Sequence, residues 1–407
     1  MVVGSPRFVG KRLTEARLAR GMFKKTLGDL IGVTGTAISR YEDGLDKPQA
    51  ERLTALARQL GFPESFFMTA AWDETLEPVF WRSRSTETKT AREITEQRMR
   101  WLSELFHFLE QEVEFPAVAL PTVELPIDFR AFTQEDIERA AETVRDAWKL
   151  RARPIPDVTL ALENAGLPVV NLDFMSDKQD GICFRAEALA RPFVGINIHN
   201  VSAARARFDA AHELGHVVLH RAATPQQERD PATHKLLEQQ AHGFAAAFLF
   251  PRQSFLTEVA VPSLDYFASL KKKWGISIGA MIFRAHGLGM IDDAEKFSLQ
   301  QALGRRRWRG PLREPFDLPS DMPLERPRML RRGIEAVLRD GAFDRQSLLS
   351  VLSLPQQEVE QLAGLQPGFL DSGAVHEMPL PLKTRGLQTL DVESGTVLEF
   401  PGRRKDG

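Results

Sequence analysis

The chain has 407 residues, of which 43% are hydrophobic and 27% charged, with a formal net charge of −2; this balance suits about two to four soluble domains and by itself names no partner. Its single cysteine, Cys183, excludes a disulfide within the chain and any thiolate-rich metal site, which leaves His and carboxylate as metal donors and fits a reducing cytoplasm. No run approaches the ~18 apolar residues of a membrane span and the N-terminus lacks a signal-like apolar core, so the expectation is a cytoplasmic protein with no membrane partner.

Residues 1–70 read as a small helical unit. Phe8 to Arg20 is amphipathic, marked by Val9, Leu13, Ala16 and Leu18, and a short helix is expected from Lys25 to Ile31. Gly32-Val33 makes a tight turn in which glycine supplies a positive φ. Thr34 or Gly35 starts a third helix, Thr36 to Tyr41, and Ala50 to Leu60 makes a fourth, capped by Gly61. Two short helices joined by a glycine turn and flanked by supports form a helix-turn-helix layout. Residues 1–62 hold 11 Lys/Arg against 6 Asp/Glu, a net of +5 in a slightly acidic chain, which suits a phosphate backbone. The stretches RLTEARLARG and LGDLIGVTGTAISRYEDGLDKPQAERLTALARQLG resemble the Cro/lambda-repressor (XRE) class. That resemblance implies a double-stranded DNA operator as partner, with Thr34, Thr36, Ser39 and Arg40 facing the major groove and Lys24 and Lys25 near phosphates. The chain departs from the class at Lys24, where glutamine is common, and at Gly28, where alanine is usual.

Residues 71–130 connect this unit to the next. Phe80 to Ser85 reads as extended or loop-like, and Thr90 to Glu114 as a long helix. Trp101, Leu102, Leu105, Phe108 and Leu109 form an apolar stripe on it, suited to a core or a dimer seam. Pro116, Pro121 and Pro126 mark a candidate hinge. Proteins of the XRE class usually bind as dimers on paired half-sites, so a homodimer is expected, with this helix as its contact.

Residues 131–310 open with helices from Gln134 to Leu150 and Asp157 to Ala165, then strands at 167–172, 181–184 and 192–198. Three short strands beside helices make a small α+β layer. The strand at 193–198 is the expected edge for holding an extended peptide by main-chain pairing. Arg205 and Arg207 suit either an oxyanion or an ion pair with Asp209, the pair being preferred.

His212-Glu213-Leu214-Gly215-His216 lies in an apolar-periodic run with no proline, so it reads as a buried helix. Positions four apart share a face, which aims both imidazoles at one Zn²⁺. Glu213 would sit beside the metal without binding it, where a general base can take a proton from the attacking water. Gly215 costs a helix interior about 1 kcal/mol against alanine, so close packing or access is expected there. A catalytic zinc takes three protein ligands. The candidates for the third are Glu238, His242, His234 and His220. Lys235 to Phe250 reads as a helix, closed by Pro251, with alanines at 241, 245, 246 and 247 for close approach. Glu238 is favoured as ligand and His242, four residues on, as its orienting partner. His220 reads equally well as a helix-end histidine.

RFDAAHELGHVVLH followed by EQQAHGFAAAFLFP resembles the ImmA/IrrE family of bacterial metallopeptidases, in which an E-x-x-A-N-x-F-A-x-x-L-x-x-P helix supplies the third ligand. Carried over, His212, His216 and Glu238 are zinc ligands and Glu213 the catalytic base; His242 stands where asparagine is usual. The resemblance covers about residues 7 to 310 and implies a regulator fused to a zinc-dependent endopeptidase that cuts a repressor-type protein. The alternatives are a non-proteolytic transcription factor whose zinc domain senses or scaffolds, and an antitoxin-like regulator. Residues 311–407 say less. Pro311 to Pro327 is linker-like, residues 300–333 carry 9 Arg against 4 acidic residues, and 390–400 suits a closing hairpin. The expected fold is mainly α with a small β-sheet: an N-terminal helix-turn-helix unit, a zincin-like metallopeptidase domain and a helical C-terminal region.

Overall fold

The computed structural model describes residues 5–371 apart from 6, 73–75, 82–87, 173–180, 187, 188 and 229. The hairpin expected at 390–400 therefore lies outside the described residues. Among those described, no helix is long and apolar enough to cross a membrane.

The N-terminal bundle comprises α1 (Gly10–Ala19), α2 (Lys24–Ile31), α3 (Gly35–Glu42) and α4 (Ala50–Leu60). Gly32 adopts φ 72°, which closes α2 in the left-handed region and turns the chain into α3. The Thr34 hydroxyl caps α3 by accepting from the Ala37 amide at 3.1 Å. Gly28 has a packing reason: a Cβ there would lie 2.7 Å from the Val33 carbonyl oxygen. Leu13, Ala16, Leu27, Ile38 and Leu56 are fully buried between the four helices.

The chain continues through β1 (Leu76–Trp81), α5 (Lys89–Glu112), α6 (Gln134–Ala147), α7 (Val158–Asn164), β2 (Val169–Asn171), β3 (Gly181–Ala186) and β4 (Arg191–Ile196). Next come α8 (Ala203–Leu219), the single turn α9 (Pro225–Glu228), α10 (Pro231–Leu249), α11 (Arg252–Glu258), α12 (Leu264–Trp274), α13 (Ile278–Gly287) and α14 (Asp293–Arg305). Helices α15 (Met329–Arg339), α16 (Arg345–Leu352) and α17 (Gln356–Ala363) end the described part. The result is mainly helical with one small sheet, as the sequence predicts.

The sheet order is β1-β3-β4-β2, with β3 antiparallel to both β1 and β4 and β2 parallel to β4. Strand alternation sends Cys183, Val194 and Ile196 into the core shared with α6, α8 and α10. Ile182, Phe184 and Phe193 face the opposite way, into a second core with Trp101, Leu105 and Phe106 of α5 and Ile334 of α15. The sheet is thus covered by helices on both faces. Strand β4 is paired on both sides, so it has no edge to offer a peptide; the expectation placed on residues 193–198 is wrong. Strand β1 is an addition to the three strands that the sequence predicts. Pro78 and a register shift between Pro78 and Phe80 interrupt the pattern that marks a strand in sequence.

Three further expectations need correction. The apolar stripe of α5 is buried inside its own chain, with Phe106 edge-on to Phe193 at 5.3 Å and Trp101 edge-on to Phe62 at 5.4 Å. Of the two readings of the stripe, core and dimer seam, it is therefore the core. The proline-rich stretch after α5 is no free hinge: the Pro116 carbonyl accepts from Arg191 at 2.8 Å, and the Ala119 carbonyl accepts from the Trp148 indole at 2.7 Å. Residues 311–327 are a docked strap, not a linker. Glu314 and Asp317 hold the fully buried Lys271 at 2.8 and 2.6 Å. Glu314 also caps α13 through the amides of Ile278 and Gly279, and Glu325 caps α7 through those of Val158 and Thr159. Carboxylates at helix N-termini complement both the open amides and the dipole.

Candidate metal centre

Helix α8 begins at Ser202, whose hydroxyl accepts from the Arg205 amide. Helix α10 begins at Asp230, which accepts from the Thr233 amide at 2.8 Å, with Pro231 at the first helical position. The two helices pack closely where Gly215 meets α10. A Cβ on Gly215 would lie 3.2 Å from Phe244 Cβ and 3.3 Å from Ala241 Cα. The glycine cost read from sequence is thus matched by a close helix crossing, which brings Glu238 of α10 over the histidines of α8.

His212 and His216 are fully buried, with their Nε2 atoms 3.0 Å apart. Glu238 Oε2 lies 3.5 Å from His212 Nε2, and Glu238 Oε1 lies 3.3 Å from His216 Nε2. A tetrahedral Zn²⁺ with N and O donors at about 2.0–2.1 Å has donor–donor edges of about 3.3–3.4 Å. The observed triangle matches that size, and two imidazoles with one carboxylate are an ordinary zinc set. The residues present therefore fit the ion. Burial alone would raise the Glu238 carboxyl; hydrogen bonding and charge from His212 and His216 outweigh it and hold the group well below the usual carboxylate range.

His216 is oriented by a chain that the sequence did not reveal. The Phe129 carbonyl can only accept, so Gln240 turns its amide nitrogen toward it at 2.7 Å. That leaves Gln240 Oε1 to accept from His220 Nε2–H at 2.9 Å. His220 is buried, and burial first, then the charge of His216, holds its pKa well below the ordinary histidine value. A neutral His220 with its proton on Nε2 offers Nδ1 as acceptor to His216 Nδ1–H, at 3.0 Å. The proton of His216 is thereby fixed on Nδ1, and the Nε2 lone pair points toward His212 and Glu238. The helical spacing of four between His216 and His220 was the available signal, but it did not point to Gln240.

His242 lies one turn after Glu238 on α10. Its Nδ1 donates to the Glu238 backbone carbonyl at 2.6 Å, and its ring centroid is 4.5 Å from that of His212. Donor atoms of His212, Glu238 and His242 lie within 4.8 Å of one another, so His242 joins the cluster as a further nitrogen. His212, Glu213 and His216 are buried, while Glu238 and His242 are partly exposed, so the cluster opens to solvent from the α10 side. Glu213 lies against β3: a Cβ on Gly181 would come 2.4 Å from Glu213 Oε1, which only glycine avoids. Arg205 pairs with Asp209 at 2.9 Å, the ion pair preferred from sequence. Arg207 is taken by Glu325 of the strap and the Ile155 carbonyl. His234 is partly exposed at the start of α10.

In the N-terminal unit, Thr34, Thr36 and Arg40 are exposed on α3, and Lys25 is exposed on α2. Arg40 pairs with Asp46 at 2.5 Å, and that hydrogen bond lowers the Asp46 pKa. Lys24 is committed within the unit, donating to the Ser39 hydroxyl at 2.9 Å and pairing with Glu42 at 3.1 Å. It ties α2 to α3 where a glutamine was expected from the class.

Residues 13–67 match the family model for the helix-turn-helix, and residues 162–286 match the model for the IrrE N-terminal-like domain, a peptidase family. The chain is 36% identical over 63 residues to an uncharacterized HTH-type transcriptional regulator of Sinorhizobium medicae (strain WSM419), covering 16% of this chain and 45% of the relative. An uncharacterized HTH-type transcriptional regulator of Rhizobium meliloti (strain 1021) matches to the same extent. One from Sinorhizobium fredii (strain NBRC 101917 / NGR234) is 31% identical over 81 residues, 20% of this chain and 54% of the relative. The chain thus spans about half the length of the curated relatives it matches.

Proposed function

We propose that the chain is a cytoplasmic, DNA-binding transcriptional regulator whose central domain is a zinc-dependent endopeptidase acting on a repressor-type protein. The observation that carries the enzymatic part is the convergence of His212 Nε2, His216 Nε2 and the Glu238 carboxylate within 3.0–3.5 Å of one another. These three would hold Zn²⁺, which as a Lewis acid lowers the pKa of water toward ~7 and polarises the scissile carbonyl. Glu213, next to the first imidazole and buried against Gly181, takes the proton of the attacking water and delivers it to the leaving amine. His220 and Gln240 keep the His216 proton on Nδ1 throughout. The test is direct. Full-length protein of measured zinc content is incubated with candidate repressors beside Glu213→Gln, which is expected to keep its zinc and lose at least about a hundredfold in cleavage rate. Cleavage that survives the substitution ends the assignment.

A second reading rests on His242. A nitrogen from His242 filling the fourth position would close the site, as in structural or sensing zinc centres. His242→Ala separates the two: a large loss of zinc affinity marks a ligand, while unchanged affinity leaves the position open for water.

The operator reading rests on the exposed face of α3. Thr34, Thr36 and Arg40 project from it into the space a major groove would fill, with Lys25 beside it for phosphate. Ser39 contributes its hydroxyl once Lys24 is accommodated. A homodimer on paired half-sites is part of this proposal, with a contact other than the buried apolar stripe of α5.

A further inference from the structure

The sheet edge next to Glu213 is held by the chain itself. Residues 162–286, which match the peptidase model, contain β2, β3 and β4 but not β1. Without β1 that sheet would end on β3. Gly181 of β3 lies against Glu213, so the outer edge of β3 runs past the candidate base. An extended peptide that added to this edge would gain main-chain hydrogen bonds and pass the cluster of His212, His216 and Glu238. Strand β1 already occupies this edge. It pairs antiparallel with β3 from Leu76↔Ala186 to Trp81↔Ile182, and its last pair is one position from Gly181.

The hold of β1 is also incomplete. Pro78 has no N–H to give the ladder, and the register slips between Pro78 and Phe80. The ladder between β1 and β3 is thus broken in two, which leaves β1 with a less regular hold than an uninterrupted strand of its length would have.

We propose that the outer edge of β3 is the peptide-binding edge of the site, and that residues 76–81 of the same chain occupy it as a tethered competitor. An extended peptide segment of the substrate displaces β1 and pairs antiparallel with β3 in its place. This rests on the endopeptidase reading, but binding can be measured without turnover.

Two variants are made in the full-length, zinc-loaded protein carrying Glu213→Gln. Phe80→Pro removes a backbone donor and loosens β1. Glu77→Cys with Arg185→Cys places cysteines at directly paired positions, so that oxidation locks β1 on β3. The probe is a fluorescent peptide hydroxamate, read by anisotropy. An edge that is open in roughly one molecule in ten weakens the apparent affinity about tenfold. Phe80→Pro should therefore bind the probe about tenfold more tightly than the parent. The oxidised pair should not bind, and reduction should restore binding. Equal affinity for the oxidised and reduced forms overturns the proposal, even if Phe80→Pro fails to fold. Binding that follows the lock, when the parent protein with Glu213 intact cuts no repressor, keeps β1 as the occupant and removes the endopeptidase reading instead.

Discussion

Replacing Gln240 tests whether the position of one buried proton governs metal binding. Gln240→Leu removes the acceptor 2.9 Å from His220 Nε2 and the donor 2.7 Å from the Phe129 carbonyl. Each of the two buried groups left without its partner costs about 1–3 kcal/mol, so the folded state should lose roughly 2–6 kcal/mol. His220 is then free to put its proton on Nδ1, facing His216 Nδ1 at 3.0 Å. Two N–H groups cannot face each other there, so His216 moves its own proton to Nε2 and loses the lone pair a cation needs. Loss of an orienting partner of a metal-bound histidine costs about 10–100-fold in affinity. Gln240→Glu is the control, because a carboxylate still accepts from His220 Nε2–H while abandoning Phe129. The assay is competitive zinc titration against a fluorescent chelator, run beside urea unfolding of the apo protein. Gln240→Leu should lose both stability and zinc affinity, and Gln240→Glu stability alone. Equal zinc affinity in the parent and both variants would refute the proton chain, however unstable the variants are.

Three further outcomes are expected. Arg40→Ala should weaken operator binding at least about fivefold and reduce or preserve its salt slope according to whether Arg40 touches phosphate or base; unchanged affinity, measured by a mobility shift at several salt concentrations, would show that α3 is not the reader. Lys271→Ala leaves Glu314 and Asp317 buried without their cation and should cost about 3–5 kcal/mol in chemical denaturation, whereas a free linker at 311–327 would make it neutral. Gly215→Ala must push Phe244 and Ala241 back by a few tenths of an ångström, so Glu238 retreats from the histidines. Zinc affinity should fall in that variant, while a gain of about 1 kcal/mol in helix propensity masks the loss in thermal stability.

The elements built on local rules were legible in the sequence. The glycine turn at 32, the spacing of four between His212 and His216, and the alanine-rich face carrying Glu238 all follow from periodicities within a single helix or turn. What escaped depended on two segments meeting. His220 and Gln240 are ordinary residues until α8 and α10 cross at Gly215, and only that crossing fixes their register. The carboxylates of 311–327 looked like linker polarity because the helix ends they cap, at Ile278 and Val158, lie far away in sequence. The irregularity of β1 masks it in sequence, and proximity in sequence to α8 does not reveal the strand order that places β4 inside the sheet.

The join between α1 and α5 has a consequence for how the two halves cooperate. Arg12 is buried, donating to Glu15 and Glu104 at 2.9 Å and to the Ala70 carbonyl at 2.8 Å, while Trp101 donates to Glu15. This buried network holds α1 against α5. On the proposed function, a reader of DNA built this way would not trail its peptidase domain on a leash that sweeps out a volume around the operator. Docking on a half-site would then give the metal cluster a compass bearing, so that the spacing of binding sites would become part of substrate choice.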